Sequence, residues 1–135
     1  MQHCERYRMI PKRKKSYVEF PGVTAFMKQQ PEAVRIEYDL IVEKLEAEGR
    51  LSMPEGEKIA GENLFAIRVI RAGNVRIFYV YGADDFVYGI HAYVKKTRQI
   101  PKQEITLARK LAKVLKNQEG IKWWSETTRL KRKSP

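Results

Sequence analysis

The chain has 135 residues, of which 43% are hydrophobic, and its formal net charge at pH 7 is +11. This length predicts one globular domain with its own core, and the single cysteine, Cys4, excludes an intramolecular disulfide. The sequence shows no signal-peptide apolar region, no run of about 18 apolar residues for a membrane span, no zinc-ligand spacing and no glycine-rich phosphate loop. We therefore expect a cytoplasmic protein that uses neither a metal nor a cofactor.

The first half of the chain predicts a strand followed by a helical hairpin. Residues 7–10 and 16–20 are both short and rich in strand formers, and either segment is a candidate for the first strand. A short helix is expected after Pro21 and Gly22. A longer amphipathic helix spans residues 31–48 and ends at Gly49. Its apolar stripe consists of Val34, Tyr38, Ile41 and Leu45.

Residues 64–94 predict three strands joined by two tight turns. The acidic pair Asp84 and Asp85 is assigned to the second turn, where Asp bonds its own backbone, and not to a metal site. Apolar residues occupy both the odd and the even positions of these strands and so project from both faces of the sheet. Both faces should therefore be covered. The last helix, residues 101–117, would cover part of the second face, with a partner chain as a candidate for the rest.

The predicted order of elements is therefore β-α-α-β-β-β-α, an α+β domain with a three-stranded antiparallel meander and a C-terminal helix. We expect a single domain over residues 1–117, of which residues 1–15 are a basic N-terminal extension. Residues 118–135 lack a periodic apolar face and are expected to form a basic tail that serves as a tether or as an RNA-contacting arm. Trp123 and Trp124 in this tail either stack on bases or pack on the domain.

Positive charge is concentrated at the two ends of the chain. Residues 95–135 hold 13 Lys or Arg against 3 Glu, and residues 1–30 hold 7 against 2, whereas residues 31–63 are acidic. Clustered Lys and Arg release the counterions condensed on phosphates, so this pattern is typical of a nucleic-acid binder. Acidic protein partners would be attracted as well. For residues 12–15 and 131–133, solvated tails are the alternative interpretation.

The basic residues of the predicted sheet are the main candidates for chemistry. Hairpin geometry can bring together Arg68 and Arg76, which lie on neighbouring strands near their common turn. A buried arginine costs several kcal/mol unless it is paired. Each arginine is therefore expected either to meet a carboxylate of the long helix, such as Glu43 or Glu46, or to face a groove that receives an anion.

The third strand and its exit supply further candidates. His91, Tyr93 and Lys95 alternate along an extended strand and point to one side, where they converge on a ligand unless His91 is only a core residue. Residues 95–98, Lys-Lys-Thr-Arg, form either a solvated strand end or a cradle for a phosphate.

Several motifs between Leu64 and Arg109 point to a known family. They are Leu-Phe-Ala-Ile-Arg at 64–68, Arg-Ile-Phe-Tyr at 76–79, Lys-Lys-Thr at 95–97 and Pro-x-x-Glu-Ile-x-x-Ala at 101–108. Over about residues 20–116 the chain resembles the phage-derived HigB-like branch of the RelE/ParE toxin superfamily. The resemblance implies a RelE-like fold and the toxin of a type II toxin–antitoxin pair, many of which cut mRNA on the translating ribosome without a metal. It also implies a cognate antitoxin of the helix-turn-helix kind, which holds the toxin silent.

The resemblance also implies roles for single residues. Metal-free RNA cleavage uses the 2′-hydroxyl as nucleophile, so the protein must stabilise charge on phosphorus and move protons. The catalytic candidates comprise four cations that hold the phosphate and one histidine that exchanges a proton: Arg68, Arg76, Lys95, Lys96 and His91. The RNA-binding candidates are Arg71, Tyr79, Tyr93, Thr97 and Arg98.

Two other functions remain open at this point. One is a toxin of the same fold that acts on another target, such as DNA gyrase. The other is a non-catalytic module that binds nucleic acid or an antitoxin.

Overall fold

A computed structural model of the chain describes residues 13–133, and the side chains of residues 13–118. Within this part the elements are β1 (Ser16–Glu19), α1 (Pro21–Lys28), α2 (Glu32–Glu48), β2 (Gly56–Lys58), β3 (Phe65–Val69), β4 (Val75–Tyr81), β5 (Phe86–Val94) and α3 (Lys102–Lys133). The predicted α+β class is confirmed, as is the second of the two candidates for the first strand. The other candidate, residues 7–10, lies outside the described residues.

The strands form one mixed sheet in the order β1-β5-β4-β3-β2. Strands β3, β4 and β5 make the predicted antiparallel meander, and β1 adds parallel to β5 at one edge. Strand β2 was not predicted. Its sequence, Gly-Glu-Lys, has no apolar alternation, and it forms only as a short antiparallel edge beside residues 65–67.

The helical hairpin is present: α2 matches its predicted bounds within one residue, and α1 begins at Pro21, slightly before its predicted start. Pro21 opens α1, because its fixed φ angle suits the first helical turn and its missing N–H needs no partner there. Helix α2 ends at Gly49, which adopts a left-handed φ of 79° and donates its N–H to the carbonyl of Leu45 at 2.7 Å. This conformation is readily available to glycine and satisfies a carbonyl at the end of the helix.

Both faces of the sheet are covered, as predicted. Helices α1 and α2 pack on one face, where they bury Val23, Leu45 and Tyr38 against Ile67 and other strand residues. Helix α3 packs on the opposite face, which we call the α3 face. Its residues include Ala108 and Leu115 from α3 and Ala66, Phe78, Val80 and Ile90 from the strands.

Helix α3 extends past its predicted end at residue 117 and runs to Lys133. The predicted end of this helix at residue 117 is therefore wrong. Residues 118–133 contain no proline and many Lys, Arg, Glu and Gln, which are good helix formers, so the loss of the apolar stripe does not end the helix. The side chains of Trp123 and Trp124 lie outside the described part. None of the described helices is long and apolar enough to cross a membrane.

The two turns of the meander are fixed in different ways. In the β3–β4 turn the backbone N–H groups of Ile70, Arg71 and Ala72 donate to the carboxylate of Glu37 on α2, at 2.7–3.1 Å. In the β4–β5 turn Asp84 and Asp85 both have positive φ angles, 55° and 62°. The interpretation of the acidic pair as a turn is thus confirmed.

Candidate active site

A row of polar side chains crosses three strands on the α3 face. Arg68 of β3 lies directly opposite Arg76 of β4, and Arg76 lies directly opposite Tyr93 of β5. Directly opposite residues in an antiparallel pair project from the same face and are close neighbours. The structure therefore brings together two of the cations predicted from the sequence, together with one predicted RNA-binding tyrosine.

Arg76 is buried at the centre of this row, with 3% of its surface exposed. Its Nη1 donates to Oδ1 of Asn74 at 2.9 Å and to the carbonyl of Val75 at 3.3 Å. Its Nε is buried and has no hydrogen-bond partner among the described residues. Burial lowers the pKa of Arg76, and the neighbouring charge of Arg68 lowers it further.

Arg68 is half-buried at the end of the row nearest to β2. Its Nη1 donates to the carbonyl of Pro54 at 2.9 Å, and its buried Nε has no partner within the described part of the chain. The expected salt bridges to Glu43 or Glu46 are not formed. Both acids belong to α2, which covers the opposite face of the sheet, and Glu46 instead accepts the backbone N–H of Tyr17 at 2.9 Å.

Tyr93 supplies a third buried donor to the row. Its side chain is 7% exposed, and its hydroxyl has no hydrogen-bond partner among residues 13–118. Burial raises its pKa to about 12, although the positive charge of Arg76 acts in the opposite direction. The phenol is therefore neutral at physiological pH and can donate a hydrogen bond.

His91 lies beside the row, in a stack of three aromatic rings. Its ring is nearly parallel to those of Phe78 and Tyr93, with interplanar angles of 10° and 13° and centroid separations of 6.3 and 6.1 Å. Its Nε2 donates to Oε2 of Glu104, the third residue of α3. His91 is thus held between the sheet and the start of the last helix, with its side chain 18% exposed.

Two carboxylates border the cluster. Glu104 was not among the residues predicted as functional, although it is the glutamate of the Pro-x-x-Glu-Ile motif at the start of α3. Glu57 of β2 lies opposite Ala66, so it projects from the α3 face as well, and its charge raises the pKa of Arg76 slightly against the larger effect of burial. Within the described residues neither Arg68 nor Arg76 forms an ion pair with either acid.

The strand exit lies next to the row but is more exposed. Lys95 is half-buried just beyond the end of β5, and its N–H donates to the carbonyl of Asn74 at 2.8 Å. Lys96, Thr97 and Arg98 are exposed in the loop that leads to α3. The hydroxyl of Thr97 donates to the carbonyl of Gln99 at 2.6 Å, so it already has a local partner.

The remaining two predicted residues lie away from the row. Tyr79 is 1% exposed on the opposite face, where it stacks on Phe65 in the core under α1 and α2. The expectation that Tyr79 contacts an RNA base is therefore corrected, because its ring is enclosed in the core. Arg71 lies in the exposed β3–β4 turn. Together with Arg68 it lines a cavity of about 200 Å³ beside α2.

This arrangement suits an oxyanion. Two guanidinium groups and one phenol have buried donor atoms without partners in the part of the chain whose side chains are described, and hydrogen bonds to an anion would satisfy them. Next to them, the imidazole of His91 forms a hydrogen bond through Nε2 with the carboxylate of Glu104. The described residues contain no group of three or more His, Cys, Asp or Glu side chains arranged to hold a metal ion.

Comparison with known proteins assigns the chain to a family. Residues 25–113, about two thirds of the chain, match the family model described as phage derived protein Gp49-like (DUF891). The matched segment contains α2, the whole meander and the first part of α3, and therefore all the residues of the row. The curated proteins give no match. The chain therefore belongs to the phage-derived Gp49-like family, a family of toxin-like proteins.

Proposed function

We propose that this protein is the toxin of a type II toxin–antitoxin pair and that it cuts mRNA without a metal. We further propose that it belongs to the HigB-like branch of the RelE/ParE superfamily. Membership of a toxin-like family supports the first part of this proposal. The single observation that supports the chemistry is the row of Arg68, Arg76 and Tyr93, with three buried donor atoms that have no partner among residues 13–118.

An RNA phosphate is the ligand that matches these donors best. Two adjacent guanidinium groups that have no ion-paired acid among the described side chains form a strongly positive site, and their repulsion falls when an anion binds between them. A neutral phenol adds a hydrogen bond without adding charge. Donors that are fixed in a poorly solvated site stabilise developing negative charge more strongly than water does. The row would therefore bind the phosphate most tightly as it becomes pentavalent.

In this proposal His91 accepts the proton that the reaction releases. In the proposed step the 2′-hydroxyl oxygen bonds to phosphorus and its proton passes to His91. The bond between phosphorus and the 5′ oxygen breaks, and that oxygen takes a proton from solvent. The products are a 2′,3′-cyclic phosphate and a 5′-hydroxyl end. Imidazole suits this role because its ordinary pKa lies near neutrality.

The exposed basic side of α3 supports an RNA partner and an association with the ribosome. Five of its Lys and Arg residues are exposed between residues 102 and 116, and they continue the charge of the β5–α3 loop. They are Lys102, Arg109, Lys110, Lys113 and Lys116. Binding that depends on such contacts falls steeply with salt, because it is driven by counterion release. The antitoxin would keep the toxin silent by covering the row and this loop.

The proposal is tested by expressing the protein and mapping the 5′ ends of cellular mRNA. We expect growth arrest and new RNA ends from the wild-type chain, and loss of both from Arg76→Met and Lys95→Ala. Arg35→Ala is the matched control, because Arg35 is an exposed cation on α2, on the far side of the sheet. It should cut RNA as the wild type does.

Other results would point to the alternative functions. Growth arrest with intact mRNA and inhibited DNA gyrase would identify a toxin that acts on another target. Salt-dependent RNA binding without any cleavage would identify a non-catalytic module. If Arg76→Met and Lys95→Ala both arrest growth and cut RNA at the wild-type level, the row is not the active site.

A further inference from the structure

The contact between His91 and Glu104 joins the sheet to the first turn of α3. Glu104 is the third residue of the helix and reaches back over the sheet, where its Oε2 accepts the Nε2 hydrogen of His91. The two side chains are 18% and 28% exposed, so the contact lies at the border of the α3 face and not deep in the core. It is separate from the row of Arg68, Arg76 and Tyr93 but adjoins it through Tyr93.

This contact determines which nitrogen of His91 carries a proton. A neutral imidazole has one N–H and one lone pair, and a carboxylate accepts but does not donate. With Glu104 at Nε2, the neutral ring keeps its hydrogen on Nε2, and the lone pair lies on Nδ1. No described residue forms a hydrogen bond with Nδ1. The nitrogen that can accept a proton is therefore Nδ1.

The aromatic stack fixes the plane of the same ring. Phe78 and Tyr93 lie nearly parallel to His91 at centroid separations of 6.3 and 6.1 Å. A ring that is held in its plane by two neighbours and at one nitrogen by a carboxylate has little freedom to turn over. Such a ring is oriented for a proton transfer in one direction.

The charges around His91 explain why an acid is needed there. Tyr93, on the same strand as His91, is neutral. The charged residues that project from the same face are Arg76 on β4, Arg68 on β3 and Glu57 on β2. When His91 takes up a proton it adds a cation to the face of the sheet that already carries Arg68 and Arg76. The carboxylate of Glu104, in contact with the ring, balances this added charge directly.

We propose that Glu104 is the positioning residue of the active site: it holds the Nε2 hydrogen of His91 and leaves Nδ1 to take the proton of the RNA 2′-hydroxyl. This inference rests on the proposed function for its substrate. It adds that the base acts through Nδ1, and that the charge of the imidazolium is balanced from α3 and not from the sheet. Glu104 itself touches neither the RNA nor the reacting atoms.

The first measurement does not need cleavage. The chain has two histidines, so a long-range ¹H–¹⁵N spectrum of the full chain contains two imidazoles, and His3→Gln assigns the second. For the neutral ring we expect Nε2 to give a protonated signal and Nδ1 an unprotonated one. In Glu104→Gln these signals should shift toward the averaged values of a tautomer mixture. A hydrogen on Nδ1 in the wild type, or no change in Glu104→Gln, would overturn the proposal.

The second measurement is the cleavage of a short RNA. Glu104→Gln should lower kcat about 10- to 100-fold and leave KM nearly unchanged, because the ring is misplaced but the phosphate donors remain. Glu104→Asp should recover part of the rate, since it keeps the acceptor and the charge. Glu62→Gln is the matched control, because it breaks the ion pair of Glu62 with Arg109, also on α3, away from His91.

The two measurements separate the two proposals. If the wild-type chain cuts no RNA, the proposed function fails, and the spectrum alone decides whether Glu104 orients His91. If RNA is cut and Glu104→Gln is as active as Glu62→Gln, the positioning role fails and the function stands. A variant that loses stability but keeps the wild-type tautomer and kcat would show that Glu104 is only structural.

Discussion

Replacing Arg76 by methionine should stabilise the fold while it removes the proposed activity. The guanidinium is 3% exposed, its Nε has no partner in the described part of the chain, and it faces the like charge of Arg68. A buried unsatisfied donor costs about 1–3 kcal/mol, and each hydrogen bond of Nη1 returns about 1 kcal/mol. Exchange of buried charged groups for apolar ones of similar volume has stabilised other proteins by about 1–4 kcal/mol. The first two contributions nearly cancel because Nη1 makes two hydrogen bonds. The gain therefore comes from removing a buried charge beside the like charge of Arg68, and we expect about 1–2 kcal/mol.

Equilibrium unfolding in urea measures this gain. The midpoint should rise at an unchanged slope, because the surface exposed on unfolding is nearly the same, and Tm should rise by about 3–8 °C. Arg71→Met is the control: Arg71 lies in the exposed β3–β4 turn, and its replacement should change stability by less than about 0.5 kcal/mol. Inorganic phosphate should stabilise the wild type and not Arg76→Met, since only the wild type has the donors. A loss of stability in Arg76→Met would refute the view that this residue is kept for binding.

Three further predictions concern the scaffold of the site. Gly89→Ala should destabilise the fold by about 2–4 kcal/mol in urea unfolding, because its Cβ would lie 2.0 Å from Oη of Tyr17, whereas Gly22→Ala, in open space, should not. Glu37→Gln should cost about 1–2 kcal/mol by the same measurement, since a neutral amide has one oxygen for the turn N–H groups that the carboxylate now binds. Stability should also fall as pH rises from about 10 to 12, because burial raises the pKa of Tyr93 to about 12 and the unfolded chain releases that proton first. In Tyr93→Phe this fall should be smaller; an equal fall would contradict the assignment.

The fold was largely predictable because its elements carry strong local signals. Pro21, Gly49 and the apolar stripe of α2 mark the helical hairpin, and the turn residues Asp84 and Asp85 mark the second turn of the meander. Strand β2 had no such signal. It forms because a neighbouring strand offers unpaired backbone groups, which is a tertiary effect that three residues of sequence do not encode.

The candidate site was only partly predictable. The alternation of side chains between the two faces of a strand explains why the prediction for Tyr79 was wrong. Tyr79 is three residues after Arg76 on the same strand, an odd separation, so the two side chains had to project from opposite faces. Glu104 was missed for another reason. It meets His91 only because the β5–α3 loop turns the chain back across the sheet, and no rule of spacing within one element predicts that contact.

The burial of the row limits what it can recognise. Arg76 is 3% exposed and Tyr93 is 7% exposed, so their donors are too enclosed to stack on or read a base, and contacts to a phosphate carry no sequence information. Any preference for particular nucleotides must then arise at the exposed groups around the row, such as Lys96 and Arg98 in the loop before α3. If the protein cuts RNA as proposed, substitutions there should change which RNA sites are cut, whereas substitutions in the row should change the rate at every site alike. A buried set of donors for chemistry and an exposed basic loop for selection would thus divide the two tasks between two neighbouring parts of the same face.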